Sequence, residues 1–152
     1  MIRRVSALLL LLLLLCSCAK PAAPEPYTTA LADELLASAA FEGSEMAPLD
    51  MDILSILYGI DPASITDGVY HMAVNTSASA DELVILVLTD EAAAQQAEEA
   101  CKARQTAQIA VCEDYCPAAV PRLEGAVISR RGNTLLFVVG DPAVLSSFEG
   151  IG

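Results

Sequence analysis

Apolar residues fall at helical spacing between Tyr27 and Phe41, with Leu31, Leu35, Leu36 and Ala39 on one side, and Thr28 or Thr29 is placed to cap the start. Gly43 and Pro48 interrupt that pattern. Asp50 then heads a second helix carrying Ile53, Leu54, Leu57 and Tyr58, stopped by Gly59 before the turn at Asp61-Pro62. Val69 to Val74 predicts a strand, bounded by Asp67-Gly68 and by the polar stretch from Asn75 to Ala80. Leu83 to Leu88, "LVILVL", is apolar at every position, so as a strand it needs cover on both faces and belongs in the middle of a sheet. The intervening loop predicts antiparallel pairing of these two strands.

Thr89-Asp90-Glu91 supplies a cap and acids for the positive end of a long helix running to about Val111. Its apolar side is read as Ala93, Ala97, Ala100, Ala107 and Val111, small residues that let a backbone approach a sheet closely. Pro117 suits the first turn of a short helix. Ala126 to Arg130 and Thr134 to Val139 form a hairpin through Arg131-Gly132-Asn133, and Asp141-Pro142 opens a last short helix ending near Phe148. Two strand pairs separated by a long helix predict an α+β domain, a four-stranded, mainly antiparallel sheet with one long and several short helices.

Val5 to Leu15 is apolar but short: 11 residues behind Arg3 and Arg4, where a membrane-spanning helix needs about 20. That layout predicts a cleaved export signal. Leu15-Cys16-Ser17-Cys18 resembles the lipobox of bacterial lipoproteins, with Ser17 as the small residue before the modified cysteine. The resemblance implies that Cys18 carries a diacylglycerol and becomes the mature N-terminus, each buried methylene contributing about 0.8 kcal/mol to membrane binding. The expected layout is a signal peptide over 1–17, a Pro/Ala-rich tether over 18–29 and one domain over 30–150. The partner expected of the tether is the membrane, on its extracytoplasmic side.

Removing Arg3 and Arg4 leaves six basic residues against 20 acidic ones, a formal charge of −14. Such a surface argues against nucleic acid, whose phosphates are met by Lys and Arg clusters. Three cysteines remain beyond the lipobox, Cys101, Cys112 and Cys116, an odd number that cannot all pair within one chain. Free buried thiols are expected. Cys112 and Cys116 are separated by three residues rather than the two of a thioredoxin-type motif, and Glu113 and Asp114 between them raise thiol pKa. A nucleophilic pair of either thiol with His71, the single histidine, lacks any accompanying motif. Asp81-Glu82 and Asp90-Glu91 are read as strand entry and helix cap rather than a cation site. No phosphate-binding, dinucleotide-binding or nucleophile-elbow motif is present, and no cofactor is expected.

Several pieces in order resemble an uncharacterised domain found in lipoproteins of clostridia and related Gram-positive bacteria. They are Tyr58-Gly59-Ile60-Asp61, Ala80-Asp81-Glu82-Leu83, the alanine-rich helix with Arg104, Tyr115-Cys116-Pro117, and Arg131-Gly132-Asn133 closing on Val138-Val139, over roughly residues 30 to 150. The resemblance carries no activity, and Cys112 and Cys116 depart from its pattern. Arg104 is expected either to pair with an internal acid or to cover the sheet with its stem, and Tyr58 and Tyr115 to anchor the core through hydrogen-bonded hydroxyls. These readings converge on a non-enzymatic domain at the outer face of a bacterial membrane, binding an envelope protein or a small ligand. Two alternatives stand beside it: a thiol-dependent enzyme or redox protein using Cys112 or Cys116, and a structural subunit of an envelope complex.

Overall fold

Six apolar residues in succession, Leu83 to Leu88, have no side to offer to water, and the chain builds a layer on each face of them. The computed structural model describes residues 23–151. The apolar block, Cys16 and Cys18, and with them the expected signal peptide and lipidation site, lie outside these residues. Five strands form one antiparallel sheet: β1 (Met46–Pro48), β2 (Ile65–Ala73), β3 (Glu82–Leu88), β4 (Val127–Arg131) and β5 (Thr134–Val139), in the spatial order β1-β2-β3-β5-β4. The all-apolar strand β3 is central, as its composition requires.

The sheet has one strand more than the four expected. The addition, β1, is three residues long and includes a proline, too short for an alternating pattern to show. It survives because it lies on the edge, where a missing N–H costs no ladder bond. β2 also begins earlier than expected, since Asp67-Gly68 lies inside the strand rather than ahead of it. The register against β3 shifts between Ile65 and Asp67, so Thr66 is the extra residue of a bulge, and its hydroxyl donates to Val87 O.

Alternation along the two inner strands divides the core. Val84, Leu86 and Leu88 of β3 join Leu135, Phe137 and Val139 of β5 beneath one layer, while Leu83, Ile85, Leu136 and Val138 face the other. The first layer holds α2 (Met51–Tyr58), the long α3 (Glu91–Tyr115) and α4 (Val120–Glu124). The second holds α1 (Leu31–Ala37), the 3-10 turn at Ala39–Phe41 and α5 (Pro142–Leu145).

Capping follows the expectations in part. Asp90 Oδ1 accepts from Ala93 N and Asp141 Oδ1 from Ala143 N, and Gly59 ends α2 in the left-handed conformation at φ 68°. The hydroxyls of Thr28 and Thr29 do not cap α1; their carbonyls accept its first N–H groups, and Thr29 Oγ1 donates to Asp67. Asp50 holds the N-cap place of α2 without a side-chain bond. Tyr27, just ahead of α1, is buried; its N–H donates to Thr134 Oγ1 and its ring lies 4.3 Å from the Arg131 guanidinium carbon. Among the described residues, no helix is long and apolar enough to cross a membrane.

A candidate binding cleft above a buried carboxylate

Asp81 immediately precedes β3 and Glu82 opens it, and as neighbours on extended chain their side chains leave in opposite directions. Both are fully buried. Desolvating a carboxylate is expensive unless a cation and hydrogen-bond donors replace the water, and each face supplies them. On one face Ser44 donates to Asp81 Oδ2, and Arg122 of α4 brings Nε to 2.9 Å from Oδ1, an ion pair angled off the line of a hydrogen bond. Arg122 Nη2 also donates to Ala40 O at 2.6 Å.

On the other face Glu82 collects a larger set. Its Oε1 accepts from Tyr58 of α2 at 2.8 Å, from Tyr70 of β2 at 2.7 Å and from Arg104 Nε of α3 at 3.0 Å. Its Oε2 accepts from Arg104 Nε at 3.1 Å and from Gln108 Nε2 at 3.1 Å. Tyr58 meets Tyr70 and Phe137 edge to face, with centroids 6.2 and 6.1 Å apart, and the Arg104 guanidinium carbon lies 4.9 Å from the Tyr58 centroid. One carboxylate therefore ties two helices to two strands.

The charges respond to this enclosure. Burial, then the Glu82 charge, raise the Tyr58 hydroxyl well above its ordinary value, and Tyr70 is raised by the same two causes and by its hydrogen bond to Glu82. Burial works most strongly on the Arg104 cation and against it, but the Glu82 charge, Tyr58, the hydrogen bond to Glu82 and Tyr70 together outweigh it, and the guanidinium pKa rises. Cys101 is fully buried, and burial followed by Glu82 pushes its thiol up strongly.

Arg104 and Gln108 also form part of a cleft of about 340 Å³ between α2, α3 and the loop after β2, whose apolar lining includes Leu57, Met72, Val111 and Cys112. Ligand pockets typically have volumes of about 300–1,000 Å³. Leu57 is 44% exposed and Val111 57%, so the rim is apolar and open. Below it, the donor assignment at Gln108 is forced: a carboxylate only accepts, so the amide turns its NH₂ to Glu82. Gln108 Oε1 is left buried without a donor. Arg104 Nη2 makes a weak contact of 3.9 Å with Met72 Sδ.

Of the residues singled out in the sequence, Tyr58 is a buried anchor with a bonded hydroxyl, and Arg104 does pair with an internal acid. Tyr115 is not an anchor. The helix continues through it and turns its neighbours Cys112 and Cys116 inward, leaving Tyr115 82% exposed. The buried side of α3 runs through Ala94, Ala97, Cys101 and Cys112; it keeps Ala97 of the expected series, with Ala93 and Ala100 packed against the core, and leaves Ala107 and Val111 exposed. Arg104, Gln105 and Gln108 occupy its middle, with Gln105 Nε2 donating to Leu123 O at 2.6 Å. Glu82, Asp81 and Arg122 were missed as a set; the one available signal was a pair of acids abutting a fully apolar strand.

His71 does not meet either thiol. It follows Tyr70 on β2 and so faces the opposite layer, lining a shallow depression of about 610 Å³ with Phe41, Met46 and Pro48. Its Nδ1 has no hydrogen-bond partner, and burial lowers its pKa. Cys112 and Cys116 are buried free thiols with sulfurs 3.5 Å apart. Among the described residues, no three His, Cys, Asp or Glu side chains are grouped to hold a metal ion.

The family described as "Domain of unknown function (DUF4358)" matches residues 39–140. That span contains all five strands, both buried carboxylates and both arginines paired with them. No curated protein and no solved structure matches the chain.

Proposed function

The chain belongs to the DUF4358 family, whose description assigns no activity, and from the site itself we propose a non-enzymatic ligand-binding domain. The lipobox at Cys18 would hold it at the outer face of a bacterial cytoplasmic membrane, and the cleft between α2 and α3 would take the ligand. The observation that carries this reading is the cleft's composition: an apolar, open rim at Leu57 and Val111 over Arg104 and Gln108, two polar groups fixed in place by buried Glu82. Fixed polar groups beneath an apolar rim orient a ligand without a conformational cost at binding.

The charge of Arg104 is already balanced by Glu82, so the cleft offers directional hydrogen bonds rather than net charge. Gln108 Oε1 needs a donor and Arg104 has nitrogens beyond Nε with which to meet an acceptor. A primary amide presents both groups side by side, whereas the N–H and C=O of a trans secondary amide point in opposite directions. The ligand class that fits is therefore a small apolar molecule bearing a primary amide, such as an apolar amino acid or dipeptide blocked as its amide.

Titrating the purified protein with a series of N-acetylated apolar amino acid amides, followed by NMR shifts, tests this. Saturable binding is expected, centred on Leu57, Gln108 and Val111 and lost in Val111→Asp, a change at an exposed position. Absence of saturation across the series would overturn it. Crosslinking that instead recovers a fixed-ratio complex would favour the structural-subunit reading. Mass spectrometry of the mature N-terminus tests the anchor separately, since an unacylated end rules it out.

Thiol catalysis by Cys112 or Cys116 has less support. Burial, followed by the hydrogen bond with Cys116, pushes the Cys112 thiol up to about 11, which holds it in the less nucleophilic form at neutral pH.

A further inference from the structure

The spacing of Cys112 and Cys116 would, in a continuous helix, leave their Cβ atoms too far apart for a disulfide, which needs about 3.5–4.5 Å. The chain breaks the helix at the second cysteine. Pro117 follows it, and the residue before a proline is driven out of the helical region by its ring. Cys116 accordingly has φ −152° and ψ 63°, although its N–H still closes the last helical turn onto Cys112 O at 2.9 Å. Rotation about N–Cα carries Cβ and the carbonyl carbon together, so the side chain of Cys116 leaves its helical position. Cys116 Sγ then donates a hydrogen bond to Cys112 Sγ at 3.5 Å.

We propose that Cys112 and Cys116 form a thiol–disulfide exchange site, closed by an external low-molecular-weight disulfide that enters along the cleft. Cys112 is itself part of the cleft lining, whereas Cys101 is fully buried beside Glu82 and stays out of the reaction. The exchange balances in two steps. The Cys112 thiolate, a minor form at neutral pH because burial pushes its pKa up to about 11, attacks one sulfur of the external disulfide, forming a mixed disulfide and releasing the first small thiol, which takes up the Cys112 proton; closure is thus a slow stoichiometric oxidation rather than catalysed turnover. The Cys116 sulfur then attacks Cys112 Sγ, forming the Cys112–Cys116 bond and releasing the second small thiol with the Cys116 proton. The two protein thiols are oxidised and the external disulfide is reduced to two thiols.

This site lies beside the proposed ligand cleft and does not depend on any ligand binding there. Closure draws Cys112 Sγ toward Cys116 and joins the end of α3 to the turn at Pro117.

The mature chain, incubated under native conditions with excess oxidised glutathione, then alkylated and digested with trypsin, reports on the site directly. One tryptic fragment, Gln105 to Arg122, contains both cysteines. That fragment is expected to lose two hydrogens and become resistant to alkylation, with Cys101 alkylated only after unfolding. In Cys116→Ser the reaction should stop at a mixed disulfide on Cys112, and in Pro117→Ala closure should slow several-fold. Persistent alkylation of both cysteines in the wild-type chain, a stable mixed disulfide there, or a link through Cys101 would each overturn the assignment.

Discussion

Arg104 Nε of the long helix lies 3.0 Å from Oε1 of Glu82, a fully buried carboxylate at the first position of the central strand, and the arginine side chain is itself only 13% exposed. A buried pair of this kind contributes little net stability against an apolar replacement, yet removing one partner leaves a charge with no water to solvate it. Arg104→Leu should therefore destabilise the fold by about 3–5 kcal/mol, measured as a lower urea midpoint at unchanged slope. Glu82→Leu combined with Arg104→Leu should cost less than Arg104→Leu alone. A double variant as damaging as the single one would mean that the uncompensated charge is not the cause.

The two tyrosine hydroxyls on Glu82 predict an alkaline limit to stability. Both have raised pKa values in the fold, so the neutral form is the one the folded state favours. Their contribution is fully present below the ordinary tyrosine value of 10.0 and is lost as pH rises above it toward the folded values. The melting temperature should fall steeply above that pH. Tyr70→Phe should cost about 1.5–3 kcal/mol at neutral pH, the range for a hydrogen bond to a charged group, and should flatten the alkaline fall.

His71 sets a slope at the other end. Burial lowers its pKa from 6.5, with Asp33 opposing in part. A depressed histidine contributes stability that is present above the unfolded value and is lost as pH falls through the folded one. Melting temperature should decline as pH drops below 6.5, and His71→Gln should reduce that decline. Equal pH profiles for the two proteins would show that His71 does not carry the slope.

Gly68 and Gly59 should respond to alanine for different reasons. A Cβ at Gly68 would sit 3.0 Å from Ile85 O, 3.0 Å from Leu86 Cδ2 and 3.1 Å from Met51 Cε, wedged between the sheet and α2. Gly68→Ala should cost about 1–3 kcal/mol through overpacking, and Met51→Ala in the same chain should recover part of it. At Gly59 there is open space, but φ is +68°, so Gly59→Ala should cost about 1–2 kcal/mol from backbone strain alone, with no rescue by Met51→Ala. Denaturant melts of the four variants separate the two causes.

Where the sequence was legible, its signal was local. The apolar run at Leu83 to Leu88, the Asp90 cap and the Arg131-Gly132-Asn133 hairpin each carry their cause within a few residues, and each stands where the pattern placed it. The edge strand at Met46 carries no such cause, since it depends on pairing with β2. The inward side of α3 was placed correctly at Ala93, Ala97 and Ala100 but lost beyond them, at Ala107 and Val111, because the middle of the helix is polar: Arg104 and Gln108 face inward to meet a carboxylate that enters from 22 and 26 residues earlier in the chain. Tyr115 was misread for the opposite reason, as an aromatic residue on a helix whose last turn buries its cysteines instead.

By itself, the sequence determined the class of fold, the central strand and the main turns, because each depends on neighbouring residues and on how far a given length of chain can reach. Only the tertiary structure decided what the polar residues are for. Asp81 and Glu82 became paired anchors on opposite faces, Gln108 was left with an unmet acceptor under an apolar rim, and Cys116 was turned onto Cys112. A buried charge or sulfur has its role fixed by whichever distant groups take the place of water around it, and those groups are identified only once the layers have closed.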